Sequence, residues 1–451
     1  MKMLSRCGWI VLTLILLNGG VPESRAAIPP GFTSLFNGRN LDGWRGGATH
    51  DPRVLAAMSP ADRDAQLAKW NASLVELQDG QPHWRVAGGE LINDGKGGYA
   101  TTVGDYGDFE FVVDWKITKG TDSGVYLRGV PQVQIWDPAN PDPKGFGNAR
   151  GSGGLWNNDR NSPGKDPLVK ADNPIGTWNT FRIQMVGSRV SVWLNGRLVV
   201  DHAIMENYYD QKLPVEQRRP ILPRGPIQLQ THGGETRWRN IAIREIGSDE
   251  ACRILAQRDR DTFGPVFNGR NLDGWSGARD AVAVRNGALV WQKGKGGVLY
   301  TDDVFSDFQA RLLFKVPPAG NNGLAIRYPG TGNPAYDGMC EVQIIDQDYE
   351  KHRGPIDPRQ QNGSVYGMVA AQRGYQHPTG EWNFEEVTVQ GSRVRVELNG
   401  TVILDTDLSR IDMSKVLQNK AHPGKDLKSG HFGFAGHNDP VEFKDILVRQ
   451  I

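Results

Sequence analysis

Residues Phe36–Trp44 read FNGRNLDGW, and residues Phe267–Trp275 read FNGRNLDGW again without a change. Further pairs follow outward in the same order. GKGG at Gly95–Gly98 recurs at Gly294–Gly297, SGVYLR at Ser123–Arg128 answers NGLAIR at Asn322–Arg327, and VQIWD at Val133–Asp137 answers VQIID at Val342–Asp346. GSRVSVWLNG at Gly187–Gly196 answers GSRVRVELNG at Gly391–Gly400, and QTHGGETRWRNI at Gln230–Ile241 answers AGHNDPVEFKDI at Ala435–Ile446. Collinear matches over this length mean that a whole domain is duplicated. A period of about two hundred residues is too long for a solenoid or a propeller.

Inside each copy the local signals are strands. Val190, Val192 and Leu194 alternate with outward residues before Asn195-Gly196, and Leu198 and Val200 resume the pattern. This spacing predicts a hairpin on an Asn-Gly turn, repeated over Val394–Leu404 around Asn399-Gly400. Many short strands per copy predict an all-β fold of two tandem sandwiches. Phe36 and Phe267 stand 231 positions apart, whereas Gly95 and Gly294 stand 199 apart, so repeat 1 carries about 32 extra residues between those motifs. That insertion contains Ser59-Pro60, a helix start with Ser as N-cap and Pro at N1. The stretch 247–261 reads as a short helical linker, with Asp249 and Glu250 at its start and Arg258 and Arg260 at its end. The expected layout is a first domain over 28–246 and a second over 262–451.

Composition narrows the partners. Lys and Arg number 52 against 51 Asp and Glu, a balance that offers no electrostatic reason to expect nucleic acid or an anionic membrane. With 56 Gly, 27 Pro and 13 Trp, the chain is rich in turns and in aromatic surface suited to a sugar ring. The N-terminus reads as a Sec-type export signal over 1–26. Lys2 and Arg6 precede the apolar run Trp9–Leu17, and Ser24-Arg25-Ala26 offers small residues for cleavage, so a periplasmic or extracellular location is expected. The apolar run is too short for a stable membrane anchor. The remaining cysteines, Cys252 and Cys340, leave a disulfide open but unexpected.

Strand alternation selects candidate site residues. Gln132, Gln134 and Trp136 point away from the core that Val133 and Ile135 enter, Tyr126 and Arg128 share a side, and Gln230 and His232 share another. Repeat 2 offers Arg327, Glu341 and Gln343, with His431 and His437 in phase on one strand. Amides and guanidinium groups bind hydroxyls while aromatics cover ring carbons, so such a face suits an oligosaccharide or glycoside.

The motif set FNGRNLDGW, SG-x-x-x-R, VQI-x-D, WN, LNG and LQTHGGETRWRNI resembles the DUF1080 family, also described as the 3-keto-disaccharide hydrolase or 3-keto-glucoside 1,2-lyase/hydratase domain. The resemblance covers nearly the whole chain, once per repeat. It implies a concanavalin A-like jelly roll and cleavage of 3-keto-glycosides. A carbonyl at C3 makes the C2 proton acidic, a base removes it, the enolate expels the C1 substituent and water adds to the enone. In that scheme His232 and His437 are candidate bases, Arg128 and Arg327 candidate partners for the enolate oxygen, and Glu341 a catalytic carboxylate. Gln132, Gln134, Gln230, Gln343, Tyr126, Trp136 and His431 would contact substrate. No cofactor is evident; the chemistry leaves room for a divalent metal, although no spacing matches a recognised ligand motif.

Two positions depart from the family pattern. Where repeat 2 has Glu341, Gln343 and Asp346, repeat 1 has Gln132 in place of the Glu; where repeat 2 reads Gly380-Glu381-Trp382-Asn383, repeat 1 reads Gly176-Thr177-Trp178-Asn179. If that Glu is an essential base, repeat 1 is crippled. Arg128 and Arg327 also admit a purely structural reading, as buried partners of Asp137 and Asp346. The rival function is a non-catalytic tandem lectin, in which two weak sites gain avidity. An ordinary retaining glucanase is set aside, because no Glu-x-Asp-x-x-Glu strand occurs.

Overall fold

The computed structural model describes residues 28–451, so the expected export signal lies outside the described residues. The duplicated nonamer builds the same knot of turns twice. Asn37 Oδ1 accepts from the backbone N–H of Arg39 and Asn40, Asn40 Oδ1 accepts from Asp42 N–H, and Gly43 adopts φ +84°. Asn268, Asn271 and Gly274 repeat this geometry. Each turn delivers a Trp to the core with its indole nitrogen bonded, Trp44 Nε1 to Leu35 O at 2.7 Å and Trp275 Nε1 to Val266 O at 2.9 Å.

Each repeat is a sandwich of antiparallel sheets. In repeat 1 the larger sheet runs Arg197–Ile204, Arg189–Leu194, Asn179–Val186, Phe109–Ile117, Thr236–Glu245, Glu90–Asn93, Trp84–Ala87, with Thr33–Ser34 added on Thr236–Glu245. The smaller runs Val130–Trp136, Asp122–Leu127, Gln228–Leu229, Tyr99–Thr102, Trp44–Gly47. Repeat 2 matches it, with a smaller sheet ordered Trp275–Gly277, Gly296–Phe305, Gly430–His437, Asn321–Tyr328, Cys340–Ile345. Phe111, Val113 and Ile183 of one sheet meet Val125, Val133 and Leu229 of the other in a single apolar core. These are the inward positions of period-two strands, which is why the sheets stack on that face. Asn195-Gly196 and Asn399-Gly400 have positive φ at both residues, as their hairpin turns require.

The insertion in repeat 1 forms helices Pro52–Ala57 and Pro60–Leu74, the second capped by Ser59 Oγ accepting from Asp62 N–H. Its backbone lies against the strand Trp44–Gly47: Asn71 Oδ1 accepts from Gly46 N–H at 2.8 Å, and a Cβ on Gly46 would sit 2.0 Å from Trp70 O.

Between the repeats, helix Ser248–Gln257 buries Ala251, Cys252 and Leu255 against Val186 of repeat 1 and Leu313 and Phe384 of repeat 2. Arg258 caps this helix but directs its guanidinium to Glu386 and Glu397, joining linker to repeat 2 rather than serving only the helix dipole. Gly187 and the Asn399-Gly400 turn interlock so closely that a Cβ on Gly187 would sit 2.0 Å from Asn399 O. Cys252 and Cys340 are both free and buried, and burial pushes each thiol up to about 12.

Candidate functional site

In repeat 2, the edge strand Cys340–Ile345 sends Cys340, Val342 and Ile344 into the core and turns Glu341 and Gln343 to the opposite face. Neighbouring Gly323 makes room for the acid, since a Cβ there would sit 2.0 Å from Glu341 Oε1. His437 ends the strand Gly430–His437, and its Nε2 lies 3.7 Å from Glu341 Oε1, an electrostatic contact longer than a hydrogen bond. The chain beyond the edge strand folds back over it, with Tyr366 N–H on Glu341 O at 2.9 Å and Gly363 N–H on Gln343 O at 2.7 Å. That return brings Tyr349, Gln360 and Tyr366 to a cavity of about 130 Å3, which Asn333 and Tyr336 close from another loop. Glu341, Gln343, Asn321 and His437 form its remaining polar wall.

Two acceptors in this wall are unsatisfied. Glu341 Oε1 and Gln343 Oε1 are buried without a hydrogen-bond partner among the described residues, while Gln343 Nε2 donates to Asn321 Oδ1 at 2.7 Å. Burial raises the Glu341 carboxyl above its usual range, and His437 only partly offsets this. Glu341 in turn raises the His437 imidazole. The two share a proton-accepting environment in which one charge favours the other.

In repeat 1 the matching face carries a different pair. His232 Nδ1 lies 3.0 Å from Asp122 Oδ2, with its side chain 60% exposed, and Asp122 raises the imidazole. Gln134 Nε2 donates to Asp122 Oδ1 at 2.6 Å, and Gln132 Nε2 donates to Gln134 Oε1. Tyr126 hydroxyl meets Thr49 Oγ1 at 2.7 Å and accepts weakly from Gln230 Nε2 at 3.4 Å.

Several expected site residues lie elsewhere. Arg128 and Arg327, expected beside the histidines or against Asp137 and Asp346, take neither position. Both are 1% exposed and bind turns: Arg128 reaches Gly107 O and Asp108, Arg327 reaches Ser306 O, Gly391 O, Leu427 O and Asp307. Both have positive φ, +52° and +46°, and in repeat 2 the pairing slips between Ala325 and Tyr328, so alternation fails at this point. His431 does share the face of His437, opposite the core residues Phe432 and Phe434, but it sits at the far end of the strand, against Tyr300 at 4.9 Å with Nδ1 near Asp303 O, and so lies outside the cavity. Trp136 is tucked under its following loop, Nε1 on Gly151 O at 2.8 Å, rather than displayed to a ligand. Asp137 and Asp346 instead accept from the backbone N–H of Gly120 and Ala319.

Sequence reasoning missed Asp122, Tyr336, Gln360 and Tyr366. The first had a signal: where repeat 1 reads Asp122-Ser123-Gly124, repeat 2 reads Asn321-Asn322-Gly323. Tyr336 and Tyr366 sit in loops and Gln360 in a single 3-10 turn, Pro358–Gln360, all too short to carry a period to read. Among the described residues, no three His, Cys, Asp or Glu side chains converge as a metal site would require.

The family described as the 3-keto-alpha-glucoside-1,2-lyase-like domain matches residues 31–244 and again 262–449. A 3-keto-disaccharide hydrolase of Bacteroides thetaiotaomicron is 26% identical over 231 residues, covering 42% of this chain and 79% of that protein. A candidate glycosyl hydrolase of Parabacteroides distasonis aligns at TM-score 0.38 and 25% identity, covering 42% of this chain and 99% of that one. A carbohydrate-binding module of Bacillus subtilis aligns at TM-score 0.25 and 13% identity, covering 39% and 96%.

Proposed function

The chain belongs to the 3-keto-alpha-glucoside-1,2-lyase-like family, matched once in each repeat, and from that premise we propose that it cleaves 3-keto-glycosides, with repeat 2 as a working site. The observation that carries this reading is the pairing of His437 with buried Glu341 in the wall of a polar cavity. The neutral His437 imidazole takes the C2 proton, and the bond pair becomes the enolate of the C3 carbonyl. Glu341 steadies the imidazolium that forms, which is the role a nearby carboxylate plays for a histidine base. Tyr366 hydroxyl accepts from Gln360 Nε2 at 2.9 Å, leaving its own O–H to donate to the enolate oxygen. Collapse of the enolate breaks the C1–O bond, the leaving alcohol takes a proton from His437, and water adds to the enone. Gln343 and Asn321 hold ring hydroxyls. Export rests on the N-terminal sequence, and places this reaction outside the cytoplasm.

The test is incubation with a 3-keto-glucoside and with its unoxidised parent, with and without chelator, following enone absorbance and aglycone release. Turnover of the keto form alone, lost in His437→Ala, supports the reading; loss with chelator adds a metal. Saturable sugar binding with no turnover of either substrate favours the lectin reading instead. That reading draws on the buried Oε1 atoms of Gln132, Gln228 and Gln230 in repeat 1, without partners among the described residues, which would accept from sugar hydroxyls without any chemistry.

A further inference from the structure

We propose that repeat 1 holds a second catalytic site for keto-glycosides, built on His232 and Asp122, in which the carboxylate has moved one strand inward. The proposal rests on the reading given for repeat 2. Strand pairing fixes the correspondence: Gln134 lies opposite Gly124 as Gln343 lies opposite Gly323. Asp122 therefore stands where repeat 2 has Asn321, Gln132 where it has Glu341, and His232 where it has His437. Each repeat keeps one carboxylate and one amide at these two positions, and the two have changed places.

The shared element is a glutamine that holds the inner position. Gln134 Nε2 donates to Asp122 at 2.6 Å, and Gln343 Nε2 donates to Asn321 at 2.7 Å. In repeat 1 this completes a continuous chain, Gln132 to Gln134 to Asp122 to His232. Both Asp122 oxygens are engaged, one by Gln134 and one by His232, so the carboxylate is held in place. With the Nδ1 proton directed at Asp122, the lone pair of His232 lies on Nε2, on a ring that is more than half exposed. Removal of Glu from position 132 therefore does not leave repeat 1 without an acid.

A second observation points to a ligand. Gln132 Oε1, Gln228 Oε1 and Gln230 Oε1 are buried without partners among the described residues, the first on strand Val130–Trp136 and the other two on and just after strand Gln228–Leu229 of the same sheet. Buried acceptors of this kind are normally paired, and sugar hydroxyls supply the missing donors. Tyr126 occupies the position of Ala325, raising the floor, so the two sites differ in the C1 substituent they admit. The step is the one described above: His232 Nε2 takes the C2 proton, the C2–H pair forms the enolate, the C1–O bond breaks, and the leaving alcohol recovers the proton. Asp122 acts as a positioning residue through His232.

The experiment uses the full chain in the Glu341→Gln/His437→Ala double variant, which disables repeat 2, with folding checked by circular dichroism. Aglycone release from 3-keto-glucosides with small and large C1 substituents is read across pH. The expected result is residual turnover, biased toward different substituents from the wild type. Adding His232→Ala should lower that residue about 100-fold or more. Adding Asp122→Asn should weaken it and move its acidic limb to lower pH, with Asp122→Glu restoring part of both; a merely structural aspartate would not move the limb. An active wild type whose double variant has no turnover overturns the second site alone, as does residual turnover indifferent to His232→Ala. An inactive wild type overturns the shared reading and this proposal with it.

Discussion

Arg189 of the first repeat grips Glu397 of the second in a bidentate pair, Nε to Oε1 and Nη2 to Oε2 both at 2.5 Å, with the Glu397 side chain fully buried. Arg258 of the linker adds a third contact to the same carboxylate at 3.1 Å. Burial alone would raise Glu397, but Arg189 and Arg258 overcome it and hold the carboxyl well below its ordinary value of 4.5. A depressed folded-state value means that the stabilisation is complete above about pH 4.5 and is lost as pH falls further. Glu397→Ala takes the carboxylate from Arg189 and leaves Arg258 with Glu386 alone at the seam, and should cost about 3–5 kcal/mol in urea unfolding at pH 7. The deficit should shrink in acid.

Glu385 should behave in the opposite sense. It lies between Leu312 and Leu398 on its strand, points to the face of Val387 and Val389, and has no partner for either oxygen among the described residues. Repeat 1 has the core residue Phe181 at this place. Burial raises Glu385 to about 8, so the folded state holds a proton that the unfolded chain releases near 4.5. Its contribution is therefore full at low pH and declines between about pH 4.5 and 8, at up to about 1.4 kcal/mol per unit. Glu385→Gln should flatten that slope and gain most at pH 8, measured by urea unfolding at a series of pH values.

Removing the Glu341 charge should separate its two effects on His437. Because Glu341 raises the imidazole, Glu341→Gln should move the acidic limb of the pH–rate profile to lower pH while lowering kcat. His437→Ala should cost about 100- to 10,000-fold in kcat. Unchanged kcat and limb in both variants would remove this pair from the chemistry.

Arg327 should matter for folding and not for substrate. Its guanidinium joins Ser306, Gly391, Leu427 and Asp307 beneath the sheet. Arg327→Met strands those acceptors and should lower stability by about 3 kcal/mol or more, with KM of the surviving folded protein unchanged. A large KM change without loss of stability would return this residue to the site.

Much of this was legible because it is local or periodic. The identical nonamers, the Asn-Gly hairpins and the alternation of Val133 and Ile135 with Gln132 and Gln134 are written in neighbouring residues, and they determine duplicated sandwiches and the faces that bear amides. Alternation fails where a strand slips: the irregular pairing beside Arg327 turns it away from the site, and no residue type announces it, whereas His431 keeps its face and is removed only by distance along its strand.

By itself, then, the sequence determined the duplication, the sheet-forming segments and the two histidines at matching places, because strand period and turn chemistry act over a few residues. Only the tertiary structure decided which carboxylate meets which histidine, Asp122 with His232 and Glu341 with His437. Those contacts join strands about 100 residues apart in sequence, and their lengths depend on pairing register, on Gly323 yielding space to an acid, and on loops folding back over an edge.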